Sequence, residues 1–314
     1  MKNFIGLGTA AIGRPQYINV RQENVDNTSL EEFKAKGMNV LQEAYDQGIR
    51  YFDTAPGYGL AEKLVLEWSA LKGYSDIEIA SKWGYTYTAH FDPNAKTHEV
   101  KEHSLSKLNE QWDFTQKLLP RLTTYQIHSA TFESGIFNNT EVLDRLGELK
   151  EEYNLKIGLT SSGENQTQII KSALEIERNG KQLFDAFQVT FNILDQSVIE
   201  IQELLKDKRI IVKEALANGR LFRNENYPHY AALYKAMEYL AKKYNVGVDA
   251  IALRFVIDCL KPFKVLSGAS EQQHITDNLK AESFELEKGE LEFLTSFYVS
   301  PEEYWNERKK LGWN

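Results

Sequence analysis

Short runs rich in apolar, β-branched and aromatic residues alternate along this chain with longer stretches whose apolar positions recur every three or four residues. The short runs, at 4–8, 50–53, 77–81, 124–128, 155–159, 186–190, 209–213 and 264–266, predict eight strands. The longer stretches predict helices near 35–47, 60–71, 98–110, 139–153, 165–179, 196–206, 229–259, 271–280 and 287–297. Local signals agree. Gly48 and Gly73 follow helical stretches, where a glycine readily takes positive φ, and Asn138 and Asn139 stand where a side chain caps a helix. Leu143, Leu146, Leu149 and Tyr153 make one apolar stripe, while Glu148, Glu151 and Glu152 suit its solvated face.

Strands that alternate with helices call for parallel pairing and right-handed crossovers. Eight such units predict a single-domain α/β fold, a (β/α)8 TIM barrel over residues 1–314, with an open doubly wound sheet as the rival. No linker or low-complexity tract divides the chain. Segments 14–30 and 84–97 and the tail from about 298 to 314 read as extra loops at the C-terminal face.

Composition narrows the function classes. An apolar content of 42% and a charged content of 26% are ordinary for a globular protein. A net charge of −8 argues against nucleic-acid or anionic-membrane partners, which want basic patches. No apolar run reaches the roughly 18–20 residues of a membrane span, and the N-terminal run is too short and glycine-broken for a signal peptide. A cytoplasmic location is expected. The single cysteine, Cys259, reads as a small residue on a helix rather than a catalytic thiol. No His/Cys/Asp cluster has metal-ligand spacing, so no metal is expected.

The first glycine-rich stretch, F-I-G-L-G-T-A-A-I-G-R-P, fits G-x-G-x-x-G/A at Gly6, Gly8 and Ala11. In a Rossmann fold a helix opens at the last of these positions and holds a pyrophosphate on its N-terminus. Here Gly13 and Pro15 follow at once, and no helical period begins before about residue 30. The stretch therefore reads as a first strand ending in a turn.

Active sites of parallel barrels sit at the C-terminal ends of the strands. Three consecutive predicted strands end at a titratable residue: Asp53, Lys82 and His128. The turn after Asp53, T-A-P-G-Y-G, brings Tyr58 to the same rim. An ammonium near a phenol favours the phenolate, and a carboxylate holds the ammonium in place. Lys82 and Asp53 are thus expected to tune Tyr58 as a proton donor, with His128 hydrogen-bonded to a substrate oxygen. Taken singly, each has a plain reading: a cap, a packed aromatic, a surface lysine, a core histidine.

The four residues with their flanks F-D-T-A-P-G-Y-G, S-K-W-G and Y-Q-I-H resemble the aldo-keto reductases, and the likeness runs from about Ile5 to Asn278. The resemblance implies a barrel that binds NADP(H), the family default, or NAD(H), without a Rossmann fold. It implies hydride transfer between the cofactor and a carbonyl (aldehyde, ketone or sugar) or its alcohol, with Asp53, Tyr58, Lys82 and His128 catalytic. Gly8 and Thr9 would lie beside the cofactor. Thr160 and Ser161 would face the nicotinamide carboxamide, with Ser161 in place of the usual asparagine, and Gln188 would stand nearby. Lys213 occupies a position that is aromatic in many members, followed by Leu216 and Gly219. After the last strand, Gly268, Ser270, His274 and Asn278 would meet the adenosine end. No Lys or Arg falls between Lys264 and Lys280, which disfavours a 2′-phosphate and makes NAD(H) a serious alternative. Tyr17, Trp83 and Tyr85 are the candidate substrate-pocket residues, and a small-molecule carbonyl or alcohol is the expected partner. Two other readings stand beside this one: a Schiff-base lyase using Lys82, and a cofactor-binding regulatory subunit.

Overall fold

The computed structural model describes residues 3–14, 29–92 and 95–312. Eight parallel strands close into a barrel: β1 (Ile5–Gly8), β2 (Tyr51–Asp53), β3 (Glu78–Trp83), β4 (Leu122–Ala130), β5 (Lys156–Ser161), β6 (Ala186–Thr190), β7 (Arg209–Lys213) and β8 (Lys264–Ser267). Each pairs with the next in sequence, and β8 returns to β1 with Ile5 beside Val265. All eight predicted strands are present, and they form the closed barrel rather than the open sheet.

Side chains alternate across a strand. One parity, including Leu7, Phe52, Ile79, Trp83, Ile157, Phe187 and Val212, packs outward into the main apolar core. The other points into the barrel, where Tyr51, Ala80, Ala186 and Ile211 form a separate small cluster. Two residues further along those same four strands come Asp53, Lys82, Gln188 and Lys213. The apolar plug thus carries a polar layer directly above it.

Several boundaries differ from the sequence reading. The stretch 229–259 is two helices, Ala231–Tyr244 and Val248–Leu260, because Asn245 turns left-handed (φ 54°) and ends the first. Residues 98–110 begin as a strand, Glu99–Lys101, antiparallel to Tyr85–Tyr87, and their helix starts only at Leu105, capped by Ser104. The helix at 166–174 stops early, and 177–182 forms a small hairpin. The tail is no loop: Pro301–Arg308 is helical, capped by Ser300. After β1 there is one helical turn, Ala10–Gly13. Cys259 does lie on a helix, and burial pushes its thiol up to about 12. No helix among the described residues is long and apolar enough to cross a membrane.

Two packing points hold the end of β2. Gly13 faces the 3-10 turn Pro56–Tyr58 so closely that a Cβ there would lie 2.1 Å from the Tyr58 carbonyl oxygen and 2.5 Å from the Ala61 Cβ. Glu62, in the first turn of helix Ala61–Lys72, is 4% exposed and accepts hydrogen bonds from the hydroxyls of Ser81 and Thr115. Burial pushes its carboxyl up to about 7.

These contacts give two predictions. Gly13→Ala forces the Tyr58 turn aside and destabilises the protein by about 1–3 kcal/mol in urea unfolding. Gly8→Ala, whose new methyl meets nothing nearer than 3.5 Å, changes stability little. For Glu62, the unfolded chain ionises near the ordinary value while the native carboxyl stays protonated to about 7. Its contribution to stability therefore falls as pH rises through that window, by about 3 kcal/mol in all. Glu62→Gln should flatten the loss of unfolding free energy between pH 5 and pH 8; an unchanged slope contradicts the assignment.

Candidate active site

At the C-terminal end of the barrel the β2 and β3 ends meet. Lys82 is fully buried; its Nζ donates to Asp53 Oδ1 and, at 3.0 Å, to the Thr54 carbonyl. The other carboxylate oxygen of Asp53 accepts from Gln188 Nε2 at 2.8 Å and from Gln126 Nε2 at 3.5 Å. The Thr9 amide and hydroxyl both donate to the Asp53 carbonyl at 2.9 Å. A buried charge pair needs such satisfaction of its remaining lone pairs and protons.

Tyr58 and His128 stand over this pair. The Lys82 ammonium lies 4.7 Å from the centre of the Tyr58 ring, and the Tyr58 and His128 rings meet edge to face at 5.4 Å. His128 sits where the register of β4 shifts, next to Ser129 with φ 50°, and it is not the strand's last residue. The four predicted residues are therefore gathered in one place. Burial, with the Lys82, Arg14 and Lys213 charges, holds the His128 imidazole well below its usual range, so the ring is neutral at neutral pH.

The Tyr58 phenol departs from the expectation that Lys82 would favour its phenolate. It is held well above the ordinary tyrosine value, by burial first and by the Asp53 charge second. Lys82 brings its counterion with it, so the pair presents little net positive charge to the phenol.

The hairpin made by Tyr85–Tyr87 and Glu99–Lys101 forms one wall. Gln111 bonds the Gly84 amide and the Tyr85 carbonyl at 2.8 Å each, and the Tyr85 ring lies 4.7 Å from His128. His103 is held near 4 by burial, stays neutral, and donates Nε2–H to the His128 carbonyl at 2.9 Å. Trp83, by contrast, is fully buried on the outward parity against His103 and is not available to line an open pocket. Tyr17 lies outside the described residues.

The residues assigned to a cofactor divide. Thr160 has an internal bond, its hydroxyl accepting from the Ser129 amide at 2.7 Å, and so has Gln188, which donates to Asp53. Asn278 accepts from Ser267 and donates to Asp249. Ser161 has a buried hydroxyl without a hydrogen-bond partner among the described residues. A Cβ built at Gly268 would meet no atom within 4 Å, whereas one at Gly8 would lie in ordinary contact, 3.5 Å from the Ser267 carbonyl oxygen. Lys213 is half-buried and donates to Ser162 and Thr190. Beyond it, Leu216 is half-buried and Gly219 ends a turn in which Glu214, Ala217 and Asn218 also have positive φ. Ser270 and His274 flank the start of helix Gln272–Leu279, with His274 exposed. There Glu271 pairs with Lys36 at 2.9 Å, a cation brought from a distant helix.

Three contributors had no clear signal in the sequence. Gln126 differs in no visible way from other strand glutamines. Arg14 and Glu99 pair across 85 positions. The tail helix sets Trp305 5.9 Å from the Lys213 ammonium and joins the β7 end through Arg308–Glu214. Among the described residues no group of three His, Cys, Asp or Glu is placed to hold a metal ion.

Comparison with known proteins follows the same lines. The sequence model of the Aldo/keto reductase family matches residues 4–298. An uncharacterized oxidoreductase of Bacillus subtilis (strain 168), YqkF, is 24% identical over 81% of this chain and 84% of its own length. The NADH-specific methylglyoxal reductase of Escherichia coli (strain K12) is 23% identical over 88% and 89%. In three dimensions the chain is similar to a glycerol dehydrogenase from Gluconobacter oxydans, with TM-score 0.71, 20% identity and coverage of 93% and 90%. With a family match over nearly its whole length, the chain belongs to the aldo/keto reductases, a family of NAD(P)-dependent oxidoreductases.

Proposed function

We propose that the protein interconverts a small carbonyl compound and its alcohol, with Tyr58 as the proton donor and acceptor. The observation that carries this reading is the Lys82–Asp53 pair placed under the Tyr58 ring, with a neutral His128 beside it. A neutral imidazole donates one N–H to a carbonyl oxygen and leaves the proton transfer to the phenol. Tyr58, firmly protonated, gives its proton to the same oxygen. The phenolate left behind lies against the Lys82 ammonium, and this charge arrangement exists before the reaction begins. When bound, the nicotinamide supplies or takes up the hydride.

Ser161, whose buried hydroxyl has no partner among the described residues, and the main chain from Gly268 to Ser270, where a Cβ at Gly268 would meet nothing, would hold that cofactor, with Gly8 beside it and Lys213 turning to it from Ser162 and Thr190. The Glu271 carboxylate, paired with the exposed Lys36, favours NAD(H) over a cofactor bearing a 2′-phosphate. Tyr85, half-buried beside His128, makes the wall on that side aromatic. Lys82, fully buried on Asp53 and Thr54, is poorly placed to attack a carbonyl as a lyase nucleophile.

Tyr58→Phe should lower kcat for methylglyoxal with NADH by about 10²–10⁴-fold, while fluorescence titration shows NADH bound as in the unmodified chain. Undiminished turnover in that variant would remove Tyr58 from the mechanism. In the same titration NADH should bind at least as tightly as NADPH, and Glu271→Gln should improve NADPH binding selectively. A strong NADPH preference in the unmodified chain would overturn the cofactor assignment.

A further inference from the structure

We propose that Arg14, held by Glu99, is a positioning residue that fixes the Tyr58 turn and supplies a second cation to the Tyr58 phenol. This rests on the reading of Tyr58 as the proton donor. Arg14 follows the helical turn after β1 and is 4% exposed. A guanidinium so buried needs an anion and acceptors close by. Its Nη1 donates to the Gly57 carbonyl at 3.0 Å and to Glu99 Oε2 at 2.8 Å. Gly57 immediately precedes Tyr58, so the first bond fastens the backbone that aims the phenol. The guanidinium carbon lies 5.6 Å from the centre of the Tyr58 ring.

Glu99 sits on the hairpin strand opposite Tyr87, and that hairpin also carries Tyr85 against His128. One ion pair therefore joins the β1 end, the Tyr58 turn and the hairpin wall. Gly57 has room for no side chain, since a Cβ there would lie 2.9 Å from the Tyr85 Cβ. Hairpin, turn and arginine are packed as one unit.

Among the described residues the charged and titratable groups facing Tyr58 are Asp53 from β2, Lys82 from β3, the neutral His128 from β4, Glu214 after β7, Glu99 from the hairpin, and Arg14. Arg14 favours the phenolate, whereas Asp53, Glu99 and Glu214 oppose it. Arg14 and Glu99 thus act on the phenol with opposite signs although they belong to the same ion pair. That separates an electrostatic role from a merely structural one. Breaking the pair from either side loosens the hairpin, and losing Arg14 also frees the Gly57 carbonyl, but the two changes remove opposite charges.

The test is a 19F NMR titration of the full chain carrying polyfluorinated tyrosine, whose more acidic phenol brings the Tyr58 ionisation into the range where the protein stays folded, with the Tyr58 signal assigned by its loss in Tyr58→Phe. Glu99→Gln should ionise Tyr58 earlier and Arg14→Gln later, each by on the order of 0.5–1 pH unit. Arg14→Lys, which keeps the charge, should stay near the unmodified chain. Should Arg14→Gln fail to fold, the downward shift in Glu99→Gln and the near-absence of one in Arg14→Lys still decide the matter. Shifts of the same sign in Arg14→Gln and Glu99→Gln, or no shift in Glu99→Gln, overturn the proposal. Turnover is not needed for this readout, so the role of Arg14 and the role of Tyr58 in catalysis fail independently.

Discussion

Taking an ammonium and a carboxylate out of water costs roughly several kcal/mol per ion even after relaxation. The barrel accepts that cost at Lys82 and Asp53, and much of its upper half serves to offset it. Gln188 and Gln126 fill the second carboxylate oxygen, Thr54 takes another ammonium proton, and Thr9 pins the Asp53 backbone. Four strands contribute to one pair. The polar layer lies above the apolar plug of Tyr51, Ala80, Ala186 and Ile211 because the strands alternate with a period of two. On the function proposed for Tyr58, its phenol meets what the pair presents: a bound cation with its counterion already in place.

The same alternation explains what was legible in the sequence. Strand existence rests on local apolar runs, and all eight were readable. Asp53, Lys82 and His128 were readable because strand ends in a parallel barrel share one rim. Trp83 was misread because it is adjacent in sequence to Lys82, and adjacency in a strand means opposite faces. The glycine fingerprint points at Gly6, Gly8 and Ala11, yet the glycine pressed against the Tyr58 turn, some 45 positions away, is Gly13. Thr160, Gln188 and Asn278 look like ligand contacts by position. Their engagement with Ser129, Asp53, Ser267 and Asp249 depends on register, which spacing within one segment does not reveal.

What stayed illegible lies between segments far apart in the chain. The hairpins at 85–101 and 177–182 are too short to show a period. The tail helix carries Tyr304 and Trp305 inward and little else that is apolar, so its face is narrow. Ion pairs such as Arg14–Glu99, Lys36–Glu271 and Arg220–Glu307 leave no local mark at all. Each nonetheless alters the charge or shape of the barrel mouth, which is where members of one fold acquire different chemistry.

The seam between the first and last strands has a consequence in time. The amides of Phe4 and Ile5 donate to the Glu282 carboxylate, and β1 pairs with β8. During synthesis the first strand emerges with neither partner available, and its outer edge stays uncovered until β8 has emerged. The helix at 301–308, which joins the β7 end through Glu214 and Arg308, emerges later still. On the ribosome, therefore, the barrel closes only with its eighth strand and its mouth is finished after that, so the nascent barrel carries an open sheet edge until then.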